Sequence, residues 1–394
     1  MTDDPHSAAK IRLAAAVQAA RAEILELSHR IHANPEPAFE EHQAASWVAS
    51  ALANHGYAVE FPAGRLKTAL RATLTCGRGA DGPRVGVLAE YDALPGLGHG
   101  CGHNTMAASG VGAAIALAEL APELSGEIVV LGTPAEERGS GKQFMLDDGL
   151  FDGLDAALLF HPADVNTAVC ALLASVDIEV TFSGLQAHAA ADPWSGKNAL
   201  DALIMLFTSI GLWRQQLRPA ARVHGIILEG GTAANIIPDR TAARFMVRSD
   251  DQADFERMQV RFRALAEAAA QAADCTVQIV FSGGSSTMND NVVLRERFRA
   301  NMAAHGVIEQ PFDYGRMGSS DMGNVSHVLP TIHPELAICD EGVPGHSITF
   351  RDAAVTQRAD ETTLLAATLV AETAYDLFAD PQLVAAAWRE FRGG

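Results

Sequence analysis

The sequence predicts an α/β protein whose mostly parallel sheet is interrupted by an inserted α+β domain. Its 394 residues exceed the size at which a single hydrophobic core stops growing, which favours two domains. Strands and helices alternate over the first 173 residues, and the strands are near-continuously apolar, as in parallel sheets covered on both faces. From residue 174 the order changes to β-α-β-β-α-β, which is the ferredoxin-like pattern.

Each element of the first part is predicted from its periodicity. Apolar residues at helical spacing indicate helices over residues 8–33, 40–55 and 106–120, and two prolines in NPEP end the first of them. The strands are the β-branched and aliphatic runs TALRATL, RVGVLAE, GEIVVLGTP and DAALLF. Because the carboxyl ends of parallel strands meet at one edge, we expect the functional site at that edge.

The inserted domain is assigned to residues 174–286, and residues 1–173 and 287–394 form the other domain. The predicted elements of the insertion are the strand SVDIEVTF, a helix over 197–217, the strands RVHGIILEG and ARFMVRS, a helix over 250–273 and the strand TVQIVFSG. A helix near 292–305, the strand PELAICD and a closing helix over 360–378 then return the chain to the first domain.

Charge and cysteine content restrict the classes of partner and compartment. A formal net charge of -19 without a compensating basic block argues against nucleic acid and anionic lipid as partners. The acidic N-terminal segment lacks the pattern of a secretory signal, and no uncharged run is long enough to span a bilayer. Five scattered cysteines do not form a disulfide framework, so we expect a reduced, cytoplasmic protein.

Side chains with metal-binding chemistry follow several of the predicted strands. They are Cys101 and His103 in the turn GLGHGCGHN, Glu136 and Glu137 after GEIVVLGTP, His161 after DAALLF, and His346 after PELAICD. Thiolate, imidazole and carboxylate groups together suit Zn²⁺ and its first-row neighbours. These groups exceed the needs of one tetrahedral ion with an open position, so two ions sharing a ligand are predicted, and such a pair suits hydrolysis.

Alternatives remain for the individual motifs. Glu136 and Glu137 could simply interact with a helix dipole; in a metal site, one could bind the ion and the other accept a proton, and spacing does not say which. The glycine-rich turn could bind phosphate, but G-x-G-x-x-G fails because Cys101 or His103 occupies the third glycine position. A lone histidine such as His161 is more often structural than a ligand.

Seven motifs in order along the chain resemble the M20 metallopeptidase and aminoacylase superfamily, in particular its amidohydrolase branch. They are HANPEPAFEE, AEYDALPGLGHGCGHN, GTPAEE, FHP, SGLQAHAA, GGTAANIIPD and GHS. The resemblance implies a catalytic domain with an inserted lid and dimerisation domain. It implies a dinuclear centre held by Cys101, His103, Glu137, His161 and His346, with Cys101 bridging two divalent ions such as Zn, Mn, Co or Ni.

The same resemblance implies roles for four further residues. Glu136 would be the general base, and His188 would stabilise the oxyanion in the partner subunit's site. Asn235 would hold the substrate or the oxyanion, and Asp92 would orient a ligand histidine.

Two positions depart from the family pattern. Many relatives carry Asp where this chain has Asn104, so a carboxylate that would orient a ligand is missing there. In the wider superfamily a metal-binding His stands where this chain has Glu90, and the change fits the amidohydrolase branch.

The leading hypothesis is a metal-dependent amidohydrolase that cleaves a small N-acyl amino acid, dipeptide or aryl-amide conjugate and forms a homodimer through the inserted domain. The alternative is a non-catalytic regulatory protein that binds metal or ligand on the same fold. A nucleotide-dependent α/β enzyme is disfavoured by the glycine spacing.

Overall fold

The computed structural model describes residues 5–393, which divide into two compact units. The first comprises Met1–Ala171, Met288–Arg316 and Asn324–Gly394, and the second comprises Leu172–Thr287 and Met317–Gly323. Residues 1–4 and 394, which the predicted catalytic domain includes, lie outside the described residues. The prediction gave Met317–Gly323 to the first domain; instead this segment clusters with the second unit, where the backbone N–H of Leu173 donates to Gly318 O at 2.8 Å.

The described chain contains the following α-helices and β-strands. The helices are α1 (Pro5–Ala19), α2 (Arg21–Ala33), α3 (His42–Asn54), α4 (His103–Leu120), α5 (Gly141–Asp147), α6 (Ala199–Trp213), α7 (Gln252–Ala272), α8 (Val292–Ala304), α9 (Met322–Ser326), α10 (Ile348–Ala353), α11 (Gln357–Ala379) and α12 (Pro381–Phe391). The strands are β1 (Ala58–Glu60), β2 (Leu70–Thr75), β3 (Arg84–Glu90), β4 (Glu127–Thr133), β5 (Ala156–Leu158), β6 (His161–Ala163), β7 (Ala174–Ser183), β8 (Arg222–Glu229), β9 (Arg240–Ser249), β10 (Thr276–Ser285), β11 (Thr331–Ile332) and β12 (Glu335–Ala337).

Two helical predictions differ from the structure. The single helix predicted over residues 8–33 is two helices, α1 and α2, which meet at Ala20. Beyond the predicted closing helix, which is α11, the chain forms a further helix, α12. Asp380 starts α12, because its side chain accepts a hydrogen bond from the backbone N–H of Gln382 at 2.9 Å.

The first unit contains the predicted mostly parallel sheet. Its strand order is β1-β2-β4-β3-β5-β11, and the pairs β4–β3, β3–β5 and β5–β11 are parallel. The strands β1 and β2 add an antiparallel edge. Strand β3 is buried along its length after Arg84, as expected for a central strand with both faces covered. The fold class predicted from the sequence is confirmed.

Helix α4 is the central helix of the first unit. It packs against β3, α1, α2 and α11, and nearly all of its side chains are buried. Among the described residues, the stretch His103–Glu123 is long and apolar enough to cross a membrane, but 83% of its most apolar window is buried inside the fold. That burial is what a core helix requires.

The second unit is the predicted ferredoxin-like domain. Its antiparallel sheet has the strand order β10-β7-β9-β8, and α6 and α7 pack against the sheet. Alternate residues of β7 and β9 are buried, which is the period-two pattern of a sheet with one covered face. Phe245 of β9 lies in the core between Phe207 and Phe262, with ring centroids 4.8 and 5.1 Å away.

None of the five cysteines forms a disulfide in the described part of the chain. Cys76, Cys170 and Cys339 are buried, where a cysteine packs as a small apolar residue. The cytoplasmic location stays a prediction.

We predict that Gly110→Ala destabilises the first unit. A Cβ at Gly110 would lie 2.8 Å from Leu88 O and 3.2 Å from the Ala89 Cβ, so α4 would have to move away from β3. Overpacking of this kind costs about 1–3 kcal/mol. The control is Gly211→Ala in α6, where a Cβ meets nothing within 4 Å; there the change should stabilise by roughly 0.5–1 kcal/mol. Thermal melts that move both variants in the same direction would contradict this packing argument.

We predict that Glu41→Gln changes the pH dependence of stability. Glu41 is fully buried, and its Oε1 accepts hydrogen bonds from the backbone N–H groups of Phe39 and Ala135. Burial, and then the Asp92 carboxylate, raise the pKa of Glu41 to about 7. Because the unfolded chain loses this proton first, the free energy of unfolding should fall as the pH rises from about 4.5 to about 7.

The Gln variant keeps the accepting oxygen but lacks the ionisation. We expect it to be more stable than wild type at pH 8, by up to roughly 3 kcal/mol, and nearly equal to it at pH 5. Urea unfolding at both pH values measures this difference, with the exposed Glu60→Gln as control. A variant that follows the wild-type pH dependence would refute the assignment to Glu41.

Candidate metal centre

The parallel register brings the predicted strand ends to one edge of the sheet. Glu90, at the end of β3, pairs in register with Thr133, at the end of β4. The segment Ala156–Leu158 of β5 aligns with Val85–Val87 on the other side of β3. Loops that leave these strands therefore start side by side, and their polar side chains meet.

Five of the predicted site residues converge there in two groups that share one cysteine. Ligand atoms of Cys101, His103 and His161 lie within 4.8 Å of one another, and so do those of Cys101, Glu137 and His346. Cys101 Sγ is 3.4 Å from His161 Nε2, and His346 Nε2 is 3.4 Å from Glu137 Oε1. This is the arrangement that a bridging cysteine between two ions requires.

His103 is fixed by the start of α4 and by Asp92. Gly102 precedes it with φ 76°, a conformation that costs a glycine little. His103 Nδ1 lies 3.1 Å from Asp92 Oδ1 and 3.0 Å from the backbone oxygen of Asp92. With the Nδ1 proton directed at these acceptors, Nε2 is left as the ligand atom toward the cluster. Asp92 makes the contact that its predicted role requires.

Glu136 and Glu137 follow a backbone turn in which Ala135 has φ 59°. The backbone N–H of Glu137 donates to Asp92 Oδ2 at 2.9 Å, and its carboxylate Oε1 lies 3.4 Å from His346 Nε2. Glu136 Oε2 instead lies 3.9 Å from His103 Nε2, and Glu136 is outside both groups that contain Cys101. The two neighbouring glutamates therefore face different parts of the cluster.

His161 and His333 form a stacked pair beside Cys101. The Nδ1–H of His161 donates to Pro162 O at 2.8 Å, which leaves Nε2 facing Cys101 Sγ. The His333 ring stacks on it with centroids 5.2 Å apart. Burial lowers the pKa of His161 to about 3 and that of His333 to about 4, so both rings are neutral near pH 7 and His161 can bind a cation.

His346 occupies an exposed loop. Its φ is 56°, and its backbone N–H donates to Gly100 O at 2.9 Å, which ties this loop to the GLGHGCGHN turn. The side chain is 56% exposed, whereas that of His103 is fully buried. A hydrogen bond to Glu137 raises the pKa of His346 above its ordinary value. Of the two ligand groups, the one formed by Cys101, Glu137 and His346 is therefore the one that is open to solvent.

The residues present fit divalent ions. Two buried atoms that face the cluster have no hydrogen-bond partner among residues 5–393; they are His103 Nε2 and Glu90 Oε2. Two ligands of a tetrahedral zinc ion lie about 3.4–3.6 Å apart, close to the 3.4 Å separations seen here. Burial, and then Glu137, raise the pKa of the Cys101 thiol, so an ion would have to displace a proton there.

His188 and Asn235 lie in the second unit, where they are neighbours. His188 forms an isolated bridge with Ile236, and the backbone N–H of Ala189 donates to Asn235 O at 3.0 Å. His188 Nδ1 accepts from the backbone N–H groups of Ala190 and Ala191, which places the proton of a neutral ring on Nε2. Both side chains are exposed, and their predicted roles stay predictions.

Asn104 does not stand where a carboxylate would orient a ligand. Its side-chain N–H groups donate to Ser28 Oγ at 2.9 Å and to Ala354 O at 3.0 Å, so it ties α4 to α2 and to the end of α10. Asp92 orients His103 instead. His99 is buried, and its ring stacks on that of His32 with centroids 5.9 Å apart.

Sequence reasoning missed three buried polar residues around the cluster, namely Glu90 as a participant, Lys142 and His333. Glu90 and His333 directly end or follow strands of the sheet, and that position is the signal that could have identified them. Lys142 carries no such signal, because it lies in the short helix α5 after a glycine-rich turn.

The chain is similar to known peptidases and hydrolases. Residues 86–368 match the model of Peptidase family M20/M25/M40. The chain is 36% identical to the Xaa-Arg dipeptidase of Mus musculus over 97% of this chain and 92% of that protein. It is 31% identical to a p-aminobenzoyl-glutamate hydrolase polypeptide of Escherichia coli K12, over 75% of this chain and 65% of that protein.

The fold also matches solved structures. A crystal structure from Bacillus subtilis, described as a dinuclear metal binding peptidase from the M20 family, superposes with a TM-score of 0.67 at 19% identity and covers 90% of this chain and 99% of that one. The predicted class, a hydrolase of amide or peptide bonds, is confirmed together with the family. The chain belongs to Peptidase family M20/M25/M40.

Proposed function

We propose that this chain is a dinuclear metal-dependent dipeptidase whose preferred substrates are small dipeptides with a basic C-terminal residue. The observation that carries the proposal is the pair of ligand groups that share Cys101, with Glu136 beside them. The Bacillus subtilis neighbour, described as dinuclear, supports the number of ions.

Two divalent ions would be held by this chain's own side chains. Cys101, His103 and His161 would hold one, and Cys101, Glu137 and His346 would hold the other. When bound, such ions polarise a carbonyl group and make water a stronger acid. The S, N and O donor set suits first-row ions such as Zn, Mn, Co and Ni.

Glu136 is the residue placed to move the proton. It is 9% exposed and lies at the cluster, so its carboxylate is shielded from bulk water but reaches the reaction centre. In hydrolysis Glu136 would accept a proton from the attacking water as the water oxygen bonds to the amide carbon. It would then deliver this proton to the leaving amine as the C–N bond breaks, so that the products are a carboxylic acid and an amine.

His188 and Asn235 would act on the substrate, His188 in the site of the partner subunit. The Nε2–H of His188 is the donor that its backbone contacts select, and a donor aimed at the carbonyl oxygen stabilises the charge that develops there. The side-chain amide of Asn235 supplies a further donor and acceptor for the substrate.

The substrate class rests on similarity and charge. The relative that matches 97% of this chain is named for Xaa-Arg dipeptides. A net charge of -19 attracts cationic substrates and repels acidic ones, which supports a dipeptide with a basic residue over a conjugate of glutamate.

We predict that the metal-loaded protein hydrolyses Ala-Arg faster than Ala-Glu, p-aminobenzoyl-glutamate or N-acetyl-L-cysteine. Ninhydrin detection or chromatography of the released amino acid measures this, with Zn²⁺, Mn²⁺ and Co²⁺ each tested and a chelator as the negative control.

We predict that Glu136→Gln keeps its two ions and loses about 10²–10⁴-fold in kcat, while Glu60→Gln behaves as wild type. Metal binding without hydrolysis of any compound would favour the non-catalytic alternative.

The second unit offers a surface for the proposed homodimer. Strand β8 is an edge of the antiparallel sheet, and its consecutive residues Ile226, Ile227 and Leu228 are each at least half exposed. Ile204 and Leu212 of α6 are exposed as well. An exposed apolar edge strand is a template for pairing with another strand, and a two-fold axis would let β8 pair with its own copy.

We predict that the chain sediments as a dimer of the 41.6 kDa protomer and that Ile226→Lys shifts it toward monomer. A charge at this edge opposes pairing of two β8 strands. Val260→Lys, on an exposed position of α7, is the control. A monomeric wild type, or a variant that stays dimeric like the control, would exclude β8 as the interface in analytical ultracentrifugation.

A further inference from the structure

A buried ion pair lies directly behind the metal centre. Glu90 Oε1 is 2.7 Å from Lys142 Nζ, and both side chains are completely buried. Glu90 ends β3, and Lys142 lies in the first turn of α5. Taking two opposite charges out of water is costly, and a well-packed apolar pair is often as stable, so stability alone does not account for this pair.

The second oxygen of Glu90 faces the metal centre. Glu90 Oε2 lies 3.4 Å from His103 Nε2, and it accepts no hydrogen bond from any residue between 5 and 393. Ligand atoms of Glu90, His103 and Glu136 lie within 4.8 Å of one another. Because Asp92 engages His103 Nδ1, it is the ligand nitrogen of His103 that Glu90 approaches.

The separation is that of two ligands on one ion. Neighbouring ligands of a tetrahedral ion lie about 3.4 Å apart when both are nitrogen or oxygen. Either a proton on His103 Nε2 or a bound cation can bridge Nε2 and the facing Glu90 Oε2, and a buried acceptor with neither is unfavourable. Lys142 Nζ pairs with the other oxygen, Oε1, at 2.7 Å.

We propose that Glu90 is a further ligand of the ion held by His103, and that Lys142 positions its carboxylate and balances its charge. The proposal rests on the proposed function, since it takes an ion at His103 as given. It adds a carboxylate to the Cys101, His103 and His161 group, and it makes the β3 strand end a direct part of the metal centre.

The competing explanation is that Glu90 serves only as the counter-charge of Lys142. The two explanations differ in what happens when both charges are removed. A counter-charge is dispensable once Lys142 is replaced by an apolar residue of similar length. A ligand remains necessary for the ion whether or not Lys142 is present.

The test is a Co²⁺ titration of the metal-free full-length chain, followed by absorption in the d–d and thiolate charge-transfer bands and by thermal melting. The variants are Glu90→Gln, Lys142→Met and the double variant, with Glu60→Gln as the matched control. Wild type and control should bind two ions. Glu90→Gln should bind one of them at least 10-fold more weakly and with changed d–d intensity.

The double variant separates the two explanations even if Glu90→Gln folds poorly. We expect it to recover the melting temperature of the metal-free wild type but to keep the weakened, spectrally changed Co²⁺ site. For Lys142→Met we expect a larger rise of melting temperature on adding Co²⁺ than for wild type, because the ion then compensates the buried carboxylate.

Recovery of wild-type affinity and spectrum in the double variant would overturn the ligand role of Glu90. An unchanged d–d spectrum in Glu90→Gln would overturn it as well, and both results would leave the dinuclear centre standing. Binding of less than one ion by wild type would instead show that the proposed function itself is wrong.

Discussion

The carboxylate of Asp92 hydrogen-bonds a residue from each of the two ligand groups of the metal centre. Asp92 Oδ1 receives the Nδ1–H of His103, and Asp92 Oδ2 receives the backbone N–H of Glu137. His103 belongs to one ligand group and Glu137 to the other. Asp92 is 1% exposed, so both contacts are made away from competing water. The loop after β3, the start of α4 and the turn after β4 are thereby fixed to a single side chain.

Hydrogen bonds around the centre keep one nitrogen of each buried histidine available to bind an ion. In the group Cys101, His103 and His161, each histidine uses Nδ1 to hydrogen-bond an oxygen of a neighbouring loop. His103 bonds Asp92, and His161 bonds Pro162 O. The remaining nitrogen of each ring therefore points into the cluster as an acceptor. Such fixed tautomers spare the protein the cost of reorganising its ligands when an ion arrives.

Much of this architecture could be predicted from the sequence, because the deciding signals are local. The apolar runs of β3 and β4 predict a buried parallel sheet. Because the two strands are parallel, the loop after β3 and Glu137 after β4 lie at the same edge of the sheet. The ferredoxin-like second unit follows from the order of its elements alone.

The parts that could not be predicted depend on contacts between distant segments. Asn104 was expected to mark a missing ligand partner, but its contacts come from Ser28 and Ala354, which no spacing relates to it. Lys142 looks in sequence like an ordinary surface lysine, and only the folded chain shows it buried against Glu90. The break between α1 and α2 could not be predicted either, because it occurs at Ala20 rather than at a proline or glycine.

The burial of α4 determines where this protein can be redesigned. Of its 18 residues, 16 are buried, so the helix that begins with His103 offers almost no position for an adaptive substitution. The exposed side chains of His188 and Asn235 lie on loops of the other unit, where neighbours can be exchanged without repacking a core. Under the proposed function, directed evolution of selectivity should therefore mutate those loops and leave the helix unchanged.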